Sequence, residues 1–463
     1  MRLKVRGLDY LQLIILHMAI GFAIYLYQPL GTFYFLGSIA AFCIWIFKSG
    51  NRQNQAIVAA AYMMGGEVFF RMTSNSIPYE AGKYCVIGFV LLGLFYSGTS
   101  RKSAPYWLYL LILIPGVIYS AVTLDFDTDI RKAIVFNLSG PFCLGIAALY
   151  CHHRRITRKQ LQLLMWAMLF PIVAMTIYLF FYTPNTREVL TGTSSNFALS
   201  GGFGPNQVAT VLGIGMFVLF VQLFTNSRNR LVFIVNILLL MFLSYRAIIT
   251  FSRGGVFTAI IISIAFLIFY FRGVPRYKKA NITAYLVIII AALLVTWFIS
   301  SVRTMGLIDL RYANKDAAGR IKEDLSTGRQ ELVSSELTFF MQNPIMGIGV
   351  GKSREYREEK YGILAASHNE MSRLLSEHGL FGLFAIALLI IVPLVYRMNN
   401  KNNYLFYAFL GFWFLTINHS SMRIAAPAFM YALALLNVVD EKKTKNTVHR
   451  KQISSKRSYS QQY

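Results

Sequence analysis

The chain has 463 residues, 56% hydrophobic and 14% charged, and 45 Lys plus Arg against 20 Asp plus Glu give a formal net charge of +25. A mean hydropathy of +0.51 and apolar runs along the whole length exclude a water-soluble protein of two or three domains, since a membrane span needs about 20 apolar residues. The basic residues fall in short clusters between those runs, so they read as topology signals and lipid-headgroup contacts, with no nucleic acid as partner.

After "MRLKVRG" the first apolar run continues too far, and lacks the small-residue cleavage site, to be a removable signal; it reads as the first span. Spans are expected near 9–27, 31–47, 56–71, 84–98, 106–122, 134–151, 161–181, 205–224, 231–250, 255–271, 282–301, 374–396, 403–418 and 423–438, with 31–47 and 423–438 short enough to be re-entrant. The period-2 alternation of a β-barrel is absent. The fold class is therefore all-α, a polytopic transmembrane helical bundle of about 12–14 spans with one large outer-side loop containing short helices. Residues 1–301 would form the N-terminal spans, 302–373 the loop, 374–438 the C-terminal spans, and 439–463 a disordered basic cytoplasmic tail. Cys43, Cys85, Cys143 and Cys151 lie in or beside apolar runs without metal-ligand spacing, as small core residues do.

With both termini in the cytoplasm, "KSGNR", "SRK", "HHRRITRK", "SRNR", "RGVPRYKK" and "RMNNK" all fall inside, as the positive-inside rule requires. Two long connectors then lie outside, 182–204 and 302–373; the second carries eleven Lys plus Arg, which long loops translocate regardless of charge. Within it "STGRQELVSSELTFFMQNP" predicts an amphipathic interfacial helix, with a capping box of Thr327 and Gln330, an apolar stripe of Leu332, Val333, Leu337 and Phe340, and a stop at Pro344. No internal repeat stands out.

Several motifs carry polar chemistry. "GIGVGKS" (347–353) has Met346 where a phosphate-binding loop needs its first glycine, so it reads as a tight turn after "NP". In "SYRAIITFSRGG", Arg246 and Arg253 are seven residues apart; on one helix both would leave the same face about 10 Å apart. They are either a snorkelling arginine and a partner for a buried carboxylate, or a bidentate phosphate clamp that Gly254 and Gly255 leave open to close approach. Glu67 and Arg71, four apart, read as a structural ion pair. Asn206, at the start of a span, could cap the helix or bond substrate. In "ASHNEMSRLLSEHG" (366–379), His368 precedes a helix that Asn369 or Ser367 could cap, with Glu370, Arg373 and Glu377 along one face and His378 at its end. These residues describe either a capped, ion-paired helix or a base beside a phosphate clamp that includes Arg253 and Arg329.

"HNEMSRLLSEHGLFGLF" resembles the His-Asn…Leu…Glu-x-Gly-Leu-x-Gly signature of the O-antigen ligase/polymerase family. "FSRGG" is similar to its Ser-Arg-Gly motif, "GPNQVATVL" to its Pro-Asn segment and "TGRQEL…NPIMGIGVG" to its stretch before the histidine. The four blocks follow family order over roughly residues 200–390. The resemblance implies a membrane glycosyltransferase of the bacterial inner membrane, working at its periplasmic face. The donor would be an undecaprenyl-pyrophosphate-linked glycan, and the acceptor lipid A-core for a ligase or a second lipid-linked glycan for a polymerase. His368 would be the catalytic base and Arg253 a substrate ligand; Arg246 rests on helical geometry alone, and Arg329, Asn206, Asn369 and Glu377 join as candidate substrate contacts. Fourteen spans exceed the twelve or so expected of ligases, and Glu370 with His378 matches no family spacing. The long basic outer loop favours the ligase reading; a flippase or exporter would carry its charges through to the cytoplasmic side.

No cofactor is implied, and neither long outer connector contains Asp-x-Asp, although the short acidic connector after 106–122 reads Asp125-Phe126-Asp127-Thr128-Asp129. Turnover in detergent should therefore survive EDTA; complete loss restored only by Mg²⁺ or Mn²⁺ would refute a metal-independent reaction.

Overall fold

The computed structural model describes residues 7–74, 77–125, 128–183, 185–190, 192–226, 229–322, 328–362 and 365–439; Thr327 and all but the first residue of the expected tail lie outside them. Each expected span is helical. The first twelve helices are α1 (Gly7–Leu26), α2 (Leu30–Ser49), α3 (Gln55–Thr73), α4 (Ala81–Ser97), α5 (Ala104–Ile112), α6 (Ile114–Thr123), α7 (Ile130–Cys151), α8 (Arg158–Tyr182), α9 (Pro205–Thr225), α10 (Arg230–Ile248), α11 (Arg253–Gly273) and α12 (Arg276–Arg303). Short helices α13 (Leu307–Tyr312), α14 (Arg329–Gln342), α15 (Lys352–Tyr361) and α16 (Glu370–His378) follow. The chain then returns through α17 (Leu380–Asn399), α18 (Phe406–Ile417) and α19 (Ala425–Ala434). Among the described residues ten segments are long and apolar enough to cross a bilayer, α5 and α6 forming one, while α4, α18 and α19 are shorter apolar helices. The protein is a multi-pass membrane bundle.

The core follows from which helices are apolar all round. α3 and α19 are buried on nearly every face, and α8 and α9 are mostly enclosed, whereas α12 is largely exposed at the edge. The basic connectors gather at one end. There Arg154 donates to the Gly98 carbonyl at 2.8 Å, Gln160 to that of Gln53 at 2.9 Å, and β1 (Arg155–Thr157) pairs in parallel with β2 (Asn437–Val439). This two-stranded ribbon, three residues long, was not legible as strand in the sequence.

At the opposite end, α13–α16 are stitched to the bundle by glycines. Gly347, Gly349 and Gly351 all have positive φ (70°, 94° and 87°), a conformation that favours glycine. The alternation turns successive amides outward: Ile348 and Gly349 donate to the Ser376 and Glu377 carbonyls at 2.8 and 3.2 Å, and Val350 to Gly116 of α6 at 3.3 Å. The expected turn after "NP" is thus an anchoring strip.

Two expectations need correction. The span expected from residue 374 begins at Leu380, because Gly379 (φ 60°) breaks the chain and α16 is a separate helix of buried polar residues. The buried face of α14 is Leu332, Ser335, Glu336 and Phe339, not the stripe through Leu337, which is 43% exposed. Glu336 turns inward to an ion pair with Arg357, and the exposed side carries Leu337, Met341 and Ile345.

A Cβ on Gly379 would lie 2.5 Å from the Pro344 and Ile345 carbonyl oxygens. Gly379→Ala should lower the melting temperature in detergent, with about 1–3 kcal/mol from backbone strain alone. An unchanged melt would mean that this break does not hold α16 against the bundle.

Candidate functional site

Sequence reasoning paired Arg246 with Arg253 on one helix; the structure separates them. α10 ends at Ile248, Phe251 turns through φ 58°, and Arg253 is the first residue of α11. Arg246 is buried at 1% exposure and donates to the Leu199 carbonyl at 3.1 Å, pinning the 185–204 connector to the bundle. The two-turn geometry that joined them is therefore absent.

Arg253 meets other arginines instead. Its Nη1 donates to the Arg311 carbonyl at 3.3 Å, and Arg311 Nε donates back to the Phe251 carbonyl at 3.1 Å. α13 is fixed for this purpose by Asp309, which accepts from Trp297 Nε1 at 3.0 Å and from Ser301. Burial and then the charges of Arg253 and Arg329 hold the Arg311 guanidinium below its ordinary value. Burial, Arg253 and Arg423 do the same to Arg329. Arg423, between α18 and α19, donates to the Ser367 carbonyl at 2.8 Å and lies 5.9 Å from the Phe136 ring. Among the described residues none of these four arginines has a carboxylate within ion-pair distance.

His368 faces the same cluster. Burial, then Arg423, Arg329, His419 and Arg357, push its imidazole down to about 4, so the ring is neutral at pH 7. Its carbonyl accepts from Ser421 N–H at 3.1 Å, and its Nδ1 is buried without a partner. His419, which sequence reasoning missed, bonds the Leu415 carbonyl through Nδ1 at 2.9 Å. A Cβ on Gly254 would lie 2.5 Å from its ring. Gly254 thus admits an imidazole beside Arg253, while Gly255 admits the backbone of Ala209 in α9. Asn206 is drawn in here, its Oδ1 accepting from Ser252 at 2.7 Å, one residue before Arg253.

The remaining candidates form the support beneath. Asn369 is the cap of α16, its Oδ1 accepting from Met371 and Ser372 N–H at 2.9 and 3.2 Å. Glu377 is 1% exposed and bound to Arg373 Nη1 at 2.8 Å and Gly351 N–H at 3.0 Å. Arg373 also pairs with Glu370, and Arg357 with Glu336 at 2.8 Å, all buried. Asn369 and Glu377 therefore spend these hydrogen bonds on the scaffold and not on the arginine cluster. His378 is buried over Gly116, locking α16 against α6. Glu67 approaches Arg71 at 3.9 Å, but its stronger bond is to the Ala425 N–H at 2.6 Å, at the N-terminus of α19. Arg311, Arg423 and His419 sit in no motif, and each reaches the cluster through chain breaks that no periodicity announces.

The fold is a multi-pass membrane bundle, and the site is a cluster of arginines around His368 at one end of it. Residues 237–387, about a third of the chain, match the family model described as O-Antigen ligase. That segment is similar to the O-antigen ligase family, and the similarity supports a ligase/polymerase-type membrane glycosyltransferase. The matched segment contains Arg253, Arg311, Arg329 and His368, while Asn206, His419 and Arg423 lie outside it. Among curated proteins none matches the chain.

The two kinds of arginine make opposite predictions for stability. Arg373→Met leaves buried Glu370 and Glu377 without their cation and should cost about 3–5 kcal/mol. Arg329→Met removes a like-charge neighbour and should melt at or above wild type. Thermal melts in one detergent check both; a destabilised Arg329→Met would make that residue structural.

Proposed function

We propose that the protein transfers a glycan from a lipid pyrophosphate, undecaprenyl pyrophosphate by the family resemblance, to an acceptor sugar at the periplasmic face of the bacterial inner membrane. The single observation that carries this is a cluster of four guanidinium groups with no carboxylate partner among the described residues, two of which, Arg329 and Arg423, act on the neutral imidazole of His368. The gathering of basic connectors at the other end supports the side assigned to the site.

The reaction is an in-line displacement. The acceptor hydroxyl oxygen attacks the anomeric carbon, its proton passes to His368, and the glycosidic electron pair leaves with the diphosphate. Arg253, Arg311, Arg329 and Arg423 hold that diphosphate, guanidinium being permanently charged and able to bind its oxygens two at a time. The leaving group is already stable as an anion, so fixed positive charge replaces a protein acid. Holding donor and acceptor together supplies much of the remaining acceleration. Arg246 has no place in this step.

His368→Ala should abolish transfer while donor binding survives; loss of binding would make the residue structural. Arg253→Lys should impair transfer by removing the bidentate fork, and full activity would discard the clamp. In kcat/KM the acid limb should fall near pH 4, where the free enzyme's His368 gains its proton. In kcat the limb should move upward, because bound diphosphate cancels the arginine field; coincident limbs would contradict that coupling. Deleting the gene separates acceptors: loss of all capped lipid A-core marks a ligase, and lipid A-core bearing a single repeat marks a polymerase.

A further inference from the structure

We propose that a second cavity, between the start of α7 and α15, is a subsite for the acceptor's glycan, distinct from the arginine pocket; this rests on the transfer reading above. The cavity measures about 490 Å³, inside the roughly 300–1,000 Å³ range of small-molecule sites. Its inner end is the backbone of Ala366 and Ser367, immediately before His368. Arg423 closes that end, donating to both carbonyls while its guanidinium lies over Phe136, another wall residue. A molecule filling the cavity would thus present its inner terminus to the base.

Charge decides what kind of molecule that is. The arginine cluster has no carboxylate within ion-pair distance among the described residues and suits a diphosphate. The cavity is balanced: Asp129, Glu355, Glu358 and Glu377 line it, and so do Lys132, Arg354, Arg357 and Arg373. A phosphate entering here would meet four carboxylates. A polyhydroxylated ring would find both donors and acceptors, with the Phe136 face for its C–H surface.

Among the described residues, one buried donor at the cavity is unsatisfied, and three exposed charges on its wall are held by no side chain. Arg357 is 1% exposed and spends Nη1 and Nη2 on Glu336 and the Ala365 carbonyl, yet its Nε–H is buried without a partner. Lys132, Arg354 and Glu358 have no side-chain partner among the described residues. A sugar hydroxyl accepting from the Arg357 Nε–H would answer this, since an unmade bond at a buried donor costs about 1–3 kcal/mol, and further hydroxyls would replace water at the exposed charges.

The test uses the full chain in nanodiscs and two soluble probes: the delipidated core oligosaccharide of the host's lipopolysaccharide and the host's single-repeat oligosaccharide. Saturation-transfer NMR should show one of them bound to wild type. The signal should fall in Phe136→Ala and, should that variant fold poorly, in the double variant Lys132→Ala/Glu358→Ala. The acceptor KM should rise about tenfold, the loss of one or two hydrogen bonds, with donor KM and kcat unchanged. If neither probe receives saturation, or the double variant binds as wild type does, the cavity holds only solvent and the proposal is overturned. Wild type that transfers glycan with an unaltered acceptor KM in both variants sinks the subsite alone. Wild type that binds a probe but transfers nothing sinks the transfer reading and leaves the subsite standing.

Discussion

Pairing of buried charge governs this end of the molecule. Glu67, Glu336, Glu370 and Glu377 are the fully buried carboxylates among the described residues. Each is already committed, Glu370 and Glu377 to Arg373, Glu336 to Arg357, and Glu67 to the start of α19. An uncompensated carboxylate at such depth would cost several kcal/mol, so these commitments are obligatory. The consequence is a surplus of the opposite sign. Arg253, Arg311, Arg329 and Arg423 stand close together, and among the described residues carbonyl oxygens accept from Arg253, Arg311 and Arg423 where no carboxylate pairs with them. Such an arrangement destabilises the protein by itself, and it persists because the paired network beneath holds the backbone in place.

That network acts through rigid joints rather than side chains alone. Glu377 accepts from the Gly351 amide, and the strip from Gly347 to Gly351 runs between α16 and the α6–α7 pair. α16 in turn fixes Asn369, whose Nδ2 donates to Asn418 at 3.1 Å, so the segments bearing His368 and His419 are tied to each other. A substitution in the strip would move the base relative to the arginines without touching either. The polar helix at the membrane boundary is structural for that reason, and its neighbour His368 is left free of the ion pairs.

Much of this could be read from residue order. Apolar runs located every helix of the bundle, and the four family-like blocks placed Arg253, Arg329 and His368 in one segment before their contacts were visible. What was hidden depended on chain breaks and on burial. The Arg246–Arg253 spacing assumed a continuous helix, and the break at Ile249–Ser252 contains no proline to betray it. The α14 stripe assumed that apolar residues face inward, whereas the ion pair of Glu336 with Arg357 decides the rotation. Arg311, His419 and Arg423 converge from three separate elements, and pairwise placement of distant segments leaves no trace in periodicity. Whether Asn369 caps a helix or touches substrate is equally a question of where its amide points.

The proposed chemistry gains a specific order from the electrostatics. With the pocket empty, His368 is held far below its ordinary pKa by burial and by nearby guanidinium charge, and is a weak base. A diphosphate brings about two negative charges into contact with the arginines and cancels the field that weakens the imidazole. The base thus strengthens only when a donor is present to react. An acceptor arriving first would find no group able to take its proton, and water reaching an empty site would not be activated either. In the proposed reaction the arginines would thus do two things at once: bind the leaving group and, with burial, keep the nucleophile's base weak until that group is in place.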